Sequence, residues 1–210
     1  MNEYFLFRLL GHSAVAICAL LVSASAIAAG VPANAEVVPL HSGVNEVPFG
    51  TGADAGMVIL AHRENFNAHS FQMASFYLRT SAQNSNPQEW QIVPFRMDLK
   101  TENYDYFLRV GGGADCQTLS FRLLTDRKAN ATYVVIAERE FGTSFGDRNS
   151  VTFTWFKLTR GDGLPGTPTA FFEPFQTDKT REPYCDVDRA IKTVLHLDGA
   201  MMPKEGSLDE

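Results

Sequence analysis

The segment at residues 142–146 carries residue types that could do the chemistry of a serine hydrolase. It reads G-T-S-F-G and matches the G-x-S-x-G pattern, in which a nucleophilic serine, here Ser144, stands on a sharp turn. In such an enzyme a strand leads into the turn and a helix follows, because the helix N-terminus helps to stabilise the oxyanion. Here another alternating segment begins at Ser150, which predicts a β-hairpin connection. A serine hydrolase using Ser144 is therefore kept only as an alternative.

A second group of polar side chains joins two apolar segments at residues 61–70. Histidines, asparagines and an adjacent arginine and glutamate are concentrated there, and loops on a rigid sheet often carry function. The candidate ligand-binding residues are His62, Arg63, Glu64, Asn65, Asn67 and His69. The alternative interpretation is a well hydrogen-bonded hairpin whose asparagines accept left-handed conformations.

Aspartates in predicted turns are the candidates for a metal site. Asp115 and Asp147 could ligate a hard cation through carboxylate and backbone oxygens, although ordinary turns capped by aspartate have the same appearance. The sequence has no H-E-x-x-H motif and no tight histidine cluster, so it gives no sign of catalytic zinc. We expect no cofactor apart from a possible structural cation.

The first 35 residues have the pattern of a signal peptide. Arg8 precedes an apolar stretch that runs to Ala29, and the small residues at 33–35 offer a cleavage site, although cleavage within residues 26–35 is open. The apolar core is shorter than the roughly 20 residues that a membrane span needs. We expect a periplasmic or secreted protein with no membrane span in its mature form.

Cysteine content and charge narrow the class of protein further. Beyond residue 35 only Cys116 and Cys185 remain, and in an exported chain they most simply form one disulfide that closes a loop of about 70 residues. The formal net charge of −6 disfavours nucleic acid as a partner. It permits a cationic protein partner.

Alternation of apolar and polar residues dominates the middle of the chain. In residues 151–158, Val151, Phe153 and Trp155 share one face and threonines the other, which is typical of a half-buried strand. Pro94 indicates an edge strand or a bulge. The expected strands are 56–62, 70–79, 89–97, 104–110, 117–123, 132–139 and 151–158. This pattern predicts a mainly β fold, an antiparallel two-sheet β-sandwich, over residues 36–197.

Helical periodicity appears only near the C-terminus. Asp186 is a competent N-cap, and apolar residues then recur at helical spacing: Val187, Ala190, Ile191, Val194 and Leu195. We expect a short C-terminal α-helix that the disulfide pins to the sheet. Residues 198–210 are predicted to be a flexible acidic tail.

Four stretches together resemble one protein family. They are AHRENFNAHSFQMASFYL, GGGADCQTLSFRLL, VVIAEREFGTSFGDRNSVTFTWFKL and PYCDVDRAIKTVL, which lie within residues 56–197. In these stretches the chain resembles the periplasmic carbapenem self-resistance proteins, the CarG-like family. The resemblance implies a β-sandwich, a homodimer and protection against a carbapenem-type β-lactam without an established hydrolytic step.

The same family is similar in fold to the periplasmic inhibitors of invertebrate-type lysozyme. Those inhibitors use a loop with an S-G-x-x-Y or related pattern, whereas here Ser42 and Gly43 are followed by residues 44–46 without a tyrosine. The resemblance to the CarG-like family therefore implies a non-catalytic periplasmic binding or protection protein, which sequesters a small β-lactam or shields its target. Inhibition of a lysozyme, a cationic protein, is the alternative function, and the acidic chain would suit it.

Overall fold

The computed structural model describes residues 30–49, 55–67, 70–79, 89–99, 103–112 and 116–199. The protein is mainly β, as expected, with one short C-terminal helix. The described strands are β1 (Glu36–Val37), β2 (Gly43–Pro48), β3 (Ala55–Arg63), β4 (Phe71–Arg79), β5 (Trp90–Ile92), β6 (Phe95–Arg96), β7 (Tyr104–Asp105), β8 (Leu108–Gly112), β9 (Gln117–Asp126), β10 (Ala131–Arg139), β11 (Val151–Arg160) and β12 (Ala170–Lys179). Most of the proposed signal peptide and most of the acidic tail lie outside the described residues. No helix in the described ranges is long and apolar enough to cross a membrane.

The strands differ from the expected set where local sequence misleads. The segment 89–97 divides at Val93 and Pro94 into β5 and β6, in line with the break that Pro94 predicted. Strand β2 was not expected, because its inward positions are Asn45 and Val47 while Val44 points outward. Asn45 is buried because its side-chain amide donates to the carbonyl of His41 at 2.8 Å and to that of Val58 at 3.3 Å.

The described strands form one hydrogen-bonded sheet rather than two, with β1 beside β9 and β5 beside β4 off its main path. Strand β8 pairs with β4 on one side and with β9 on the other, which joins the two halves in the order β2-β3-β4-β8-β9-β10-β11-β12-β6-β7. The expected antiparallel pairing holds at every described pair except one. Strands β12 and β6 are parallel, through Phe172 and Phe95. The two-sheet, wholly antiparallel sandwich is therefore corrected to one continuous mixed sheet.

The sheet curves so that one face packs against itself. Phe76 of β4 contacts three rings from the other half of the path, with centroid distances of 5.2 Å to Phe95, 5.6 Å to Phe121 and 5.3 Å to Phe172. These rings are fully buried within the larger of two apolar clusters. Burial of such rings contributes a large share of the hydrophobic stabilisation.

The opposite face of β9, β10 and β11 packs against the C-terminal helix. Helix α1 (Val187–Ala190) continues as a π-helical turn, Ile191–Leu195, and Val187, Ala190 and Ile191 are fully buried. They contact the second apolar cluster, in which the predicted face of Val151, Phe153 and Trp155 lies. The Asp186 carboxylate caps the helix by accepting the backbone N–H groups of Asp188 and Arg189.

Two interactions attach this helix to the sheet. The predicted disulfide joins Cys116, at the start of β9, to Cys185, just before the helix, with the Cα atoms 5.5 Å apart. Within the interface, Arg122 of β9 is 3% exposed, and its Nη2 donates to Asp188 Oδ1 at 3.0 Å. Asp188 also accepts the hydroxyl of Ser120 at 2.7 Å. The Asp188 carboxylate therefore faces the sheet.

The Arg122–Asp188 pair can be tested against an exposed pair at the end of the same helix. Asp188→Ala should lower the free energy of unfolding by about 2–4 kcal/mol, because it leaves a buried guanidinium without its carboxylate. Asp198→Ala removes the carboxylate that Lys192 contacts at 3.1 Å, where both side chains are largely exposed, and serves as the matched control. Its expected loss is below about 0.5 kcal/mol. Urea unfolding followed by circular dichroism measures both, and equal losses would contradict the assigned role.

Candidate functional site

Of the residues that the sequence singled out as site candidates, those that the structure describes lie at one end of the sheet. Strands β3, β8 and β10 finish there, and β4, β9 and β11 begin there, because neighbouring strands along this part of the path are antiparallel. The Cys116–Cys185 bridge lies at this end, which we name the disulfide end. Two connections lie there, from β3 to β4 and from β10 to β11, and the structure describes the first of them except at residues 68–69.

Glu64 organises the connection between β3 and β4. Its carboxylate accepts the Ser70 hydroxyl at 2.6 Å, the backbone N–H of Phe66, and His62 Nε2 at 3.3 Å. These hydrogen bonds, that from Ser70 above all, lower the pKa of Glu64 from its ordinary value of 4.5 to about 2. The backbone N–H of Asn65 donates to the Ser70 hydroxyl at 3.0 Å. The described part of this connection is hydrogen-bonded, as the alternative interpretation expected, but the left-handed residue is Phe66 and neither Asn65 nor Asn67.

The same connection presents an aromatic side chain to solvent. Phe66 has a positive φ of 56° and is 94% exposed. A phenylalanine seldom adopts this backbone conformation. The hydrogen bond from its N–H to Glu64 helps to stabilise it. Arg63 and Arg109 both lie against the ring of Phe71, at 5.4 Å and 4.1 Å from its centroid.

The predicted ligand-binding residues of this connection are brought together only in part. His62 and Glu64 are in contact, whereas Arg63 turns to the Phe71 ring. Asn67 takes part through its backbone carbonyl, which accepts the backbone N–H of Ser70 at 3.3 Å. His69 lies outside the described residues. A ligand-binding role for this group stays a prediction.

Asp147 organises the connection between β10 and β11 in the same way. Oδ2 accepts the backbone N–H groups of Thr143 and Ser144 at 2.6 and 2.9 Å and the Thr143 hydroxyl at 2.8 Å, while Oδ1 accepts the Ser144 hydroxyl at 3.0 Å. These bonds, led by that from the Ser144 backbone, lower the pKa of Asp147 from 3.8 to about 2. The carboxylate therefore stays ionised in all but strong acid.

This geometry argues against a nucleophilic role for Ser144. Its hydroxyl contacts a carboxylate rather than a histidine, and the chain proceeds from Gly146 into strand β11 with no intervening helix. A nucleophile elbow requires that helix and a base able to accept the proton. Ser144 is a turn residue, as its sequence context predicted.

Arg139 ties the β10–β11 connection to the disulfide. It is 3% exposed, and its Nη1 donates to the carbonyl of Asp147 and, at 3.1 Å, to that of Cys185. Its Nε and Nη2 are buried without a hydrogen-bond partner. Sequence reasoning missed this role. The available signal was a charged residue at an inward position of β10, in phase with Val135 and Ala137.

The metal prediction rested on Asp115 and Asp147. Asp115 lies outside the described residues, and the Asp147 carboxylate is engaged by its own loop. Within the described ranges, no group of three or more histidine, cysteine, aspartate or glutamate residues is placed to hold a metal ion. A structural cation at either aspartate stays a prediction.

These features define a disulfide-bonded, mainly β protein whose candidate site consists of ordered loops at one end of a curved sheet. The family model described as carbapenem resistance protein CarG-like matches residues 40–193, which is more than half of the chain. The chain therefore belongs to the CarG-like family. The expected family resemblance is confirmed.

Solved structures give a second comparison. The chain is similar to the structure titled "Crystal structure of CarG", with a TM-score of 0.62 and 20% sequence identity, over 80% of this chain and 99% of that chain. At this identity the likeness supports the fold alone. Comparison with the curated proteins gives no match.

The hydrogen bonds to Asp147 predict how the stability of the β10–β11 loop depends on pH. Because its pKa in the folded protein is lowered to about 2, the loop is stabilised above pH about 4 and loses that contribution as the pH falls towards 2. The amide resonances of Thr143 and Ser144 should therefore titrate with a midpoint near pH 2 in ¹H–¹⁵N NMR spectra. Ser144→Ala should move that midpoint upward, because it removes one of the donors. A wild-type midpoint at the ordinary value of 3.8 would contradict the hydrogen bonding.

Proposed function

We propose that this chain is a non-catalytic, extracytoplasmic protein that protects the cell against a carbapenem-type β-lactam by binding. The observation that carries the proposal is membership of the CarG-like family over residues 40–193. The Cys116–Cys185 disulfide supports a location in the periplasm or outside the cell, because disulfides persist in oxidising compartments. The signal peptide at residues 1–35 provides for export.

The arrangement at Ser144 supports binding in preference to hydrolysis. Opening a β-lactam ring through a serine needs a group that removes the hydroxyl proton and donors that stabilise the oxyanion. The Ser144 hydroxyl faces Asp147, and the low pKa of that carboxylate makes it a weak base at neutral pH. The hydroxyl thus has a partner that holds the turn but does not activate a nucleophile.

A resistance measurement with one variant tests this function. A carbapenem-sensitive bacterium that exports the chain should show a higher inhibitory concentration than the same strain with an empty vector. Ser144→Ala should protect as well as the wild type, because the hydroxyl serves only the loop. In parallel, purified protein incubated with the carbapenem should leave the β-lactam absorbance unchanged. Loss of that absorbance with wild type but not with Ser144→Ala would establish the hydrolase instead.

Inhibition of a lysozyme is the second candidate function. The observation that favours it is Phe66, an exposed residue whose backbone N–H donates to Glu64, on a chain with a net charge of −6. Such a surface suits a cationic protein partner. If the exporting strain gains no resistance, inhibition of a panel of lysozymes is the next measurement.

We further propose that the chain is a homodimer and that it pairs through an apolar surface on β2, β3, β4 and β5. This outer apolar face points away from the core and consists of Val44, Met57, Ile59, Tyr77, Trp90 and Ile92. Glu46 on β2 and Arg79 on β4 lie on the same face, so a twofold axis between them would bring opposite charges together. A second copy of the chain therefore fits this face.

Light scattering coupled to gel filtration tests the dimer. Wild-type protein should have twice the mass of one chain, and Ile59→Glu should halve it, because a charge at the centre of an apolar interface is costly to bury. Lys157→Glu, on β11, is the control and should stay dimeric. A wild-type monomer, or a dimeric Ile59→Glu variant, would contradict this interface.

A further inference from the structure

A polar pocket lies at the end of the sheet opposite to the disulfide. Its volume is about 250 Å³, and it is lined by residues that come from β6, β7, β11, β12 and the connection between the last two, among them Arg96, Tyr104, Arg160, Thr167, Phe171 and Glu173. Pockets for drug-sized ligands usually measure roughly 300–1,000 Å³. The volume therefore suits a compact ligand.

The strand walls of the pocket are held by contacts of their own. Arg96 Nη1 lies 3.5 Å from Glu173 Oε1, and Arg96 Nη2 donates to the carbonyl of Leu99 at 3.0 Å. The ring of Tyr104 meets that of Phe171 edge-on, with the centroids 5.8 Å apart. The guanidinium and the phenol are thus positioned in advance, which reduces the entropy lost when a ligand binds.

The connection between β11 and β12 forms the remaining wall. The backbone N–H of Gly161 donates to the carbonyl of Thr169 at 2.8 Å, and a Cβ at Gly161 would lie only 2.0 Å from the carbonyl oxygen of Pro168. Only glycine permits that approach. Asp162 Oδ1 accepts the backbone N–H of Leu164 at 3.1 Å, so this carboxylate shapes the turn. The wall is therefore an ordered turn.

The chemistry of the lining identifies the class of ligand. Arg96 and Arg160 both line this small space, and a guanidinium group binds carboxylate through paired hydrogen bonds. Glu173 and Asp162 balance the formal charge, which disfavours a polyanion. The Phe171 and Tyr104 rings add an apolar surface. The lining fits a small ring that carries one carboxylate and further hydrogen-bonding groups.

We infer that this pocket is a binding site for a small cyclic monocarboxylate. The inference rests on the proposed function only where it identifies the biological ligand as a carbapenem. A carbapenem is a compact bicyclic lactam that bears one carboxylate. The carboxylate would face Arg96 and Arg160, and the ring would lie against Phe171. The Thr167 hydroxyl would bond the polar groups of the ring.

The experiment uses the purified protein, two probes and three variants. The probes are pyrrole-2-carboxylate, compared with its neutral amide, and a carbapenem with a free carboxylate, compared with its neutral ester. Calorimetry measures affinity, and ¹H–¹⁵N NMR locates the site through the amides of Tyr104, Arg160 and Thr167. The variants are Arg160→Gln, Arg96→Leu and the control Arg148→Leu, which removes an exposed arginine that contacts the carbonyl of Pro183 at the disulfide end.

Both acids should bind with shifts confined to the pocket, and each neutral analogue should bind at least about tenfold more weakly, because it lacks the charge-assisted bonds. Arg160→Gln and Arg96→Leu should weaken binding to a similar extent, and Arg148→Leu should not. Thermal unfolding confirms that each variant is folded, and Arg160→Gln, which alters an exposed side chain, decides the question if Arg96→Leu fails to fold.

The outcomes separate the pocket from the proposed function. Suppose that pyrrole-2-carboxylate binds in the pocket, that the carbapenem does not bind, and that the exporting strain gains no resistance to it. The pocket then stands and the proposed function is wrong. If the carbapenem binds and Arg160→Gln and Arg96→Leu leave its affinity unchanged, the function stands and the pocket is overturned. If neither acid shifts the pocket amides, the inference is also overturned.

Discussion

Strand β10 is buried on both of its faces, and the architecture follows from that constraint. Val134 and Ile136 point into one apolar cluster, and Val135 and Ala137 into the other. A strand of this kind needs a layer on each side, because exposure of either face would leave apolar surface in water. The curved sheet supplies one layer by folding over itself, and the C-terminal helix supplies the other.

The helix layer depends on tertiary contacts. A helix as short as Val187–Ala190, even extended by its π-helical turn, has too few hydrogen bonds to form alone in water. Cys185 fixes its beginning, and the pair between Arg122 and Asp188 fixes the face that it presents. The apolar contacts of Ile191 and Leu195 then bury the second cluster.

Arg139 extends this rigidity from the core to the surface. A buried guanidinium is costly unless it is hydrogen-bonded, and Arg139 meets part of that need through the carbonyls of Asp147 and Cys185. Any movement of the β10–β11 loop away from the disulfide would take an acceptor from a buried cation. The loop is thus stabilised by Arg139, which donates to its backbone from the core, and by the Asp147 carboxylate, which accepts hydrogen bonds from the loop itself.

What the sequence predicted depended on whether the signal was local. Strand β11 was predicted correctly because Val151, Phe153 and Trp155 alternate with threonines, and the Asp186 cap was recognisable from its position alone. Strand β12 was missed because Pro174 stands in its middle; there the register against β11 shifts beside Phe156. Alternation gives the buried face of a strand but not its neighbour, so the continuous path and the parallel pair could not be foreseen.

The same distinction applies to the sites and bears on function. The ordered connections at the disulfide end are contiguous in sequence, and reading them locally was enough to assign Ser144 to a turn. The pocket, by contrast, joins Arg96 and Tyr104 to Thr167 and Phe171, which only the pairing of β6 with β12 brings together. Catalysis would require a base near a nucleophile, and Asp147, with its low pKa, meets that need poorly. Binding requires only pre-positioned groups around a space, and contacts with β12 hold Arg96 and Tyr104 beside the pocket.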